Sequence, residues 1–268
     1  MLGLVQGFTE FLPVSSSGHL VLMQTFFGLE GDLLSFDIFV HFGTLLSVLV
    51  VFRRRIASLF AACVSASLSI VSGANTPAKS YRSSADLRIA IAIIVGSIPA
   101  GIIGLTLNDQ IEGLFSRPLP VAAALFVTGI VLLATFFKGQ GGNQRIGILR
   151  GFIVGIAQAI AIIPGISRSG STIATALFLK SERNEAGEFS FLLSLPAVAG
   201  ATLLAVKDMA ESGITITAET IVVGTIASFL SGLASLVLLM HIIRAGRIGY
   251  FGFYCIAVSL AAGLFILL

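Results

Sequence analysis

The chain has 268 residues, 56% of them in the hydrophobic set and only 11% charged, with a mean hydropathy of +1.03; a soluble domain carries about 25% charge. It is therefore read as an all-α polytopic membrane protein, a single integral domain over residues 1–268, because a helix satisfies its own backbone in lipid. A net charge of +3, from 16 basic and 13 acidic residues, gives no nucleic-acid footprint, and Cys63 and Cys255 show no CxxC or Cys/His spacing, so both point to packing rather than metal or redox chemistry.

The first apolar run, 2–13, lacks the basic n-region of a secretory signal and is expected to belong to the working protein. Gln6 and Glu10 are four apart and share one helix face. Pro13 ends that helix, and the string Ser15-Ser16-Ser17-Gly18-His19 follows. With twelve residues before Pro13 the helix reaches about 18 Å, either a half-helix or the remainder of a longer segment. A spanning segment is expected near 34–52, where Asp37 and His41 lie four apart as an interhelical hydrogen-bonding pair or a support for the site. Arg53, Arg54 and Arg55 read as a topology signal, and 56–72, rich in Ser and Ala, is treated as non-spanning.

Further spans are expected near 88–106, 119–137, 189–206, 218–241 and 249–268. The loops at 53–88, 138–150 and 242–248 are basic and are placed in the cytoplasm by the positive-inside rule, as is 180–188 through Lys180 and Arg183, against which Glu182, Glu185 and Glu188 count. Those at 107–118 (Asp109, Glu112, Arg117) and 207–219 (Lys207, Asp208, Glu211, Glu219) are acidic or balanced and suit the outside. Between two basic loops, 147–163 runs into Pro164-Gly-Ile-Ser167-Arg168-Ser169-Gly170-Ser171-Thr172, and 171–180 resumes the helix with Thr172 opening it. For both flanking loops to share one side, the chain must enter and return, as a re-entrant helix–loop–helix with this string at its tip.

The two polar strings also resemble each other. Gly3, Gly7 and Glu10 match Gly151, Gly155 and Gln158 at an offset of 148; Ser15, Ser17 and Gly18 match Ser167, Ser169 and Gly170 at 152; Ser97, Gly101 and Leu105 match Ser228, Gly232 and Leu236. Three spans separate the copies, and an odd number inverts the second. The expectation is a helical bundle of inverted-topology repeats, about 1–110 and 149–268, with two re-entrant segments meeting near the midplane.

An ionisable group at bilayer depth costs about 2.5–3.5 kcal/mol on insertion scales, which makes Glu10, His19 and Arg168 candidate functional residues. Glu10 is read as metal ligand or general base, with Gln6 beside it. Arg168 brings a planar fork suited to phosphate oxygens. Ser16 could attack phosphorus, as could His19, which could instead protonate a leaving group. Ser15, Ser17, Ser167 and Ser169 either cap helices or touch phosphate. Carboxylate, imidazole, hydroxyls, guanidinium and two helix N-termini form an inventory for phosphoryl transfer. An anion delivered within a membrane is met by a lipid diphosphate. A polyprenyl-phosphate transporter is the rival class, suggested by the repeats.

The strings LGLVQGFTEFLPVSSSGHL and PGISRSGST resemble the two signature motifs of the bacterial undecaprenyl-diphosphate phosphatases of the bacitracin-resistance (BacA/UppP) family. The resemblance implies hydrolysis of undecaprenyl diphosphate to undecaprenyl phosphate and inorganic phosphate, recycling the carrier for peptidoglycan synthesis in the bacterial plasma membrane and conferring bacitracin resistance. It implies support by a divalent cation, Mg2+ or Ca2+, and a site open to the extracytoplasmic face. It places the family's (E/Q)xxxE motif on Gln6 and Glu10, its serine and histidine positions on Ser15, Ser16, Ser17 and His19, and its arginine motif on Ser167, Arg168 and Thr172. Many members have glutamate where this chain has Gln6. The partners implied are the polyprenyl diphosphate and membrane lipid; monomer and homodimer both stay open.

Overall fold

The computed structural model describes residues 1–28, 33–115, 117–212 and 217–268. Among the described residues thirteen helices run in order: α1 (Leu2–Phe11), α2 (Ser16–Phe27), α3 (Leu33–Val51), α4 (Arg53–Val71), α5 (Pro77–Ser83), α6 (Ala85–Thr106), α7 (Asn108–Phe115), α8 (Pro118–Lys138), α9 (Ile148–Ile160), α10 (Arg168–Phe178), α11 (Arg183–Ser212), α12 (Ala218–Arg244) and α13 (Tyr250–Leu267). Among the described residues there is no strand; one isolated bridge joins Gln144 and Ser181. α6, α8, α11, α12 and α13 are each long and apolar enough to cross a membrane. The chain is a multi-pass, all-α membrane protein.

Small residues set the packing. Gly3 and Gly7 of α1 lie against Gly224, Ser228 and Gly232 of α12, while Gly151 and Gly155 of α9 lie against Ala92 and Gly96 of α6. In each crossing a Cβ on the glycine would strike backbone, so the helices approach as closely as two helices can. α3 runs parallel to α12: Gly43 faces Thr225 and Ser228, and Ser47 Oγ donates to the Phe229 carbonyl at 2.8 Å. The core between them is made of buried Phe11, Phe189, Phe191, Leu192, Leu236 and Leu239, with Phe11 edge-on to Phe191.

The basic loops gather at one end of the bundle. Arg55 donates to Asp86 at 2.5 Å and also pairs with Glu188, the Ile146 amide donates to Glu185, and Arg183 reaches Gln140 and the Arg244 carbonyl. Arg55 is thus more than a topology signal, since it ties the starts of α4, α6 and α11 together. From this end α9 runs inward and α10 returns, Lys180 contacting the Lys138 carbonyl. α1 runs inward from the opposite end beside the start of α12, and α2 returns there, where Phe26 packs on Phe265 near the end of α13.

Several boundaries differ from expectation. α11 begins at Arg183 and continues to Ser212, absorbing most of the expected loop at 180–188 and the start of that at 207–219. α7 occupies most of the loop at 107–118. The side chains of Asp109, Glu112, Asp208 and Glu211, which define the two acidic loops, lie outside the described residues. Residues 56–72 belong to α4, which by length and composition alone could cross a membrane. Asn75 N bonds back to the Ser69 carbonyl, and from Asn75 the chain, including the 7-residue α5, must return to Asp86 at the basic end. That stretch reaches about 23 Å, enough to bring the chain back along α4 from Ser69 to Asp86, which pairs with Arg55. Leu59 is the buried residue of α4.

Candidate active site

The four-residue turn after α1 and the seven-residue turn after α9 meet. A Cβ on Gly18 would lie 3.2 Å from Gly165 Cα, and one on Gly170 would lie 3.3 Å from Pro13 Cβ. Gly165 has φ of +95° and sits against Val121 of α8, where a Cβ would be 2.3 Å from the carbonyl oxygen; only glycine satisfies both conditions. Thr128 of α8 clamps this turn by donating to the Gly165 carbonyl at 2.9 Å and accepting from the Ser167 amide at 3.0 Å. No feature of the sequence singled Thr128 out.

Each turn starts a helix in the same way. Ser15 Oγ accepts from the Gly18 amide at 3.2 Å and Ser167 Oγ from the Gly170 amide at 3.0 Å, and Ser17 and Ser169 each lie 3.3 Å from their capping serine. Ser15 and Ser167 are thus the caps, whereas Ser17 and Ser169 lie in the first turns and contact them. Ser15 adopts φ of +66°, a left-handed conformation that a β-carbon disfavours. The other first-turn amides of α2 and α10 have no helical partner of their own, and the two helices start side by side at the junction, a pair of positive helix ends. α10 starts at Arg168 rather than Thr172, because Ser167 supplies the cap.

Glu10 is the hub. Its Oε2 accepts from Gln6 Nε2 at 2.8 Å and from Ser16 Oγ at 2.5 Å, and its Oε1 accepts from Arg168 of the other turn. The side chain of Glu10 is 6% exposed and that of Arg168 19%. His41 Nε2 of α3 lies 3.7 Å from Glu10 Oε2, while its Nδ1 bonds the backbone carbonyl of Asp37, not the Asp37 carboxylate. Gln6, Glu10, Ser16 and Arg168 are thus brought into one network, with His41 at its edge.

His19 faces elsewhere. Its Nδ1 lies 2.9 Å from the Ser15 carbonyl oxygen and its Nε2 lies 2.8 Å from the hydroxyl of Tyr254 on α13. Tyr254 escaped the sequence reading; an aromatic within an apolar run reads as lipid-facing, although a tyrosine hydroxyl in such a run wants a partner. Thr172 directs its hydroxyl to the Arg168 carbonyl at 2.8 Å and to Ser190 of α11, away from the hub. Ser169 donates to the Leu12 carbonyl at 3.2 Å, joining the second turn to the first.

Among the described residues no group of three or more His, Cys, Asp or Glu side chains comes together to hold a metal. Gln6 Oε1, however, is fully buried and without a hydrogen-bond partner. With Glu10 one turn along, it offers oxygen donors of the kind a hard divalent cation accepts.

The family model described as bacitracin resistance protein BacA matches residues 1–261. The chain is 43% identical over 262 residues to a protein of Desulforapulum autotrophicum named undecaprenyl-diphosphatase, covering 97% of this chain and 94% of that one. Proteins of the same name from Methanosphaera stadtmanae and Salinibacter ruber are 39% and 36% identical, each over 97% of this chain and over 94% and 95% of their own lengths.

Proposed function

Because the chain belongs to the bacitracin resistance protein BacA family, we propose that it hydrolyses undecaprenyl diphosphate to undecaprenyl phosphate and inorganic phosphate. The activity would recycle the lipid carrier of peptidoglycan synthesis in the bacterial plasma membrane and confer bacitracin resistance. The observation that carries the reading is the joining of Arg168, Glu10 and Ser16 across two turns inside a lipid-embedded bundle. A polyprenyl tail stays in the bilayer while the diphosphate enters the junction. In this reading the two helix hairpins are re-entrant, inverted copies. Since the basic end is cytoplasmic by the positive-inside rule, the α1–α2 hairpin enters from the extracytoplasmic side and the site opens there.

Arg168 and the first-turn amides of α2 and α10 hold the diphosphate oxygens and offset their charge, which is most of what phosphoryl transfer asks of a protein. Ser16 Oγ attacks the terminal phosphorus and its proton passes to Glu10; the bond to the bridging oxygen breaks, releasing undecaprenyl phosphate. Water then attacks the seryl phosphate, giving its proton to His19 Nε2, three residues along the same face of α2. The P–Oγ bond breaks, Ser16 recovers its proton from Glu10, and His19 loses its proton to the departing phosphate or to solvent, which restores the starting site. Purified protein given undecaprenyl diphosphate is expected to release one phosphate per lipid; no release under any divalent-cation condition would sink the reading.

A divalent cation, Mg2+ or Ca2+, held by Gln6 Oε1 and Glu10, would neutralise charge on the diphosphate when bound. Gln6→Glu is expected to lower the half-activating cation concentration about tenfold, since ligand charge sets affinity for hard cations. A phosphate-release curve against Mg2+ unchanged from that of the unsubstituted protein would remove Gln6 from the ligands.

A further inference from the structure

We propose that Tyr254 is a positioning residue for His19, holding the imidazole so that Nε2 is presented to take a proton. The inference rests on the diphosphatase reading for its effect on rate, but its structural content stands on geometry alone. The Ser15 carbonyl at 2.9 Å can only accept a hydrogen bond, so His19 Nδ1 carries the ring proton. Neutral imidazole then presents Nε2 as an acceptor, and the Tyr254 hydroxyl at 2.8 Å donates to it. Both nitrogens are thus engaged by groups of opposite character, and the opposite tautomer would face a carbonyl with a lone pair. The two rings lie within 3° of parallel, with centroids 5.6 Å apart.

The position of Tyr254 is itself held. Its neighbour Cys255 is fully buried and its thiol lies 3.6 Å from the Pro13 carbonyl, which seats α13 against the turn between α1 and α2. Tyr254 itself is 45% exposed, so its hydroxyl can yield Nε2 to an incoming water or phosphate oxygen without repacking the core. The phenol holds the ring ready and leaves when substrate arrives. In the hydrolysis half-reaction water then gives its proton to Nε2, while Nδ1 keeps its own.

Tyr254→Phe removes the hydroxyl and keeps the ring. Loss of a partner that orients an acid–base histidine costs one to several powers of ten in enzymes; with the Ser15 carbonyl still in place, kcat is expected to fall about tenfold and KM to stay within about twofold. Nitrogen-15 NMR of His19 in full-length protein, assigned against His19→Gln, should show an Nδ1-protonated ring with Nε2 as acceptor. In Tyr254→Phe the Nε2 resonance should move as its hydrogen bond is lost, while Nδ1 stays protonated against the Ser15 carbonyl. An unchanged His19 spectrum together with an unchanged kcat would overturn the proposal, as would equal loss of rate in a correctly folded variant whose His19 resonances do not move. If the unsubstituted protein released no phosphate, the diphosphatase reading would fail, and the Nε2 resonance would still decide whether Tyr254 holds the ring.

Discussion

Arg168→Ala is expected to lower phosphate release by about 10³-fold, within the range measured when a cation or donor that stabilises a phosphoryl or oxyanion transition state is removed. Arg168 lies across the junction from Glu10 and pairs with its Oε1. Removing it withdraws charge from the diphosphate and leaves a carboxylate buried with only Gln6, Ser16 and the more distant His41 around it. Breaking a buried pair from one side destabilises by about 3–5 kcal/mol, so the rate must be read on protein whose thermal unfolding in detergent has been measured. Arg168→Lys separates the two losses. A lysine keeps the charge beside Glu10 and should restore most of the stability, but it lacks the planar fork, and its rate should remain about 10²-fold low. Glu10→Ala should match Arg168→Ala in rate, because in the proposed chemistry Ser16 loses its base. Arg168→Ala protein that unfolds normally and turns over at the unsubstituted rate would remove Arg168 from the site.

Much of this site was legible in the sequence because polar groups are costly in lipid. Glu10 and Arg168 stood out as charges within apolar runs, and Pro13 and Pro164 marked where the helices stop. The structure then brings those two charges together, a contact 158 residues apart. Less legible were features whose signal is ordinary in isolation. Tyr254 and Thr128 look like any tyrosine or threonine of a membrane helix. Thr172 belongs to the same string as Arg168, yet its place in the second turn of α10 sends its hydroxyl to Ser190.

The spans were legible for the same reason, and each expected segment falls on one helix to within a residue at either end of α3 and α13. What hydropathy could not supply was path. α4 has the composition of a span, and its ties at Arg55, Asn75 and Asp86, which bring the chain after it back to its own start, could not be read from hydropathy. The ends of α11 were hidden because Glu185, Glu188 and Lys207 read as loop residues, whereas a helix emerging from the bundle keeps its charges at its ends. The spacing of the small residues carried the packing. Gly3 and Gly7 of α1 and Gly151 and Gly155 of α9 do occupy matching crossings. Their partners pair as Gly224 with Ala92 and Ser228 with Gly96, one residue away from the alignment of Ser97 with Ser228, because small residues recur along both helices and their pattern tolerates a slip.

Those crossings make the largest stability effect easy to locate. Gly155→Val is expected to prevent folding or to lower stability by about 3 kcal/mol or more, beyond the usual cost of overpacking. A Cβ at Gly155 would stand 2.1 Å from the Gly96 carbonyl oxygen and 2.7 Å from Gly96 Cα. Both obstacles are backbone, so no rotamer change relieves them, and α9 would have to move by about 1.3 Å even to reach a tight contact. α9 delivers the turn that carries Arg168, and the same displacement would draw the guanidinium away from Glu10. Activity per folded molecule should therefore fall as well, by about 10²-fold for a misplacement of this size. Gly101→Ala is the control on the next turns of α6. Nothing lies within 4 Å of a Cβ there, and alanine is the better helix former, so unfolding temperature and rate should both be retained. Gly155→Val protein that unfolds and turns over like Gly101→Ala would show that α6 and α9 do not cross at these glycines.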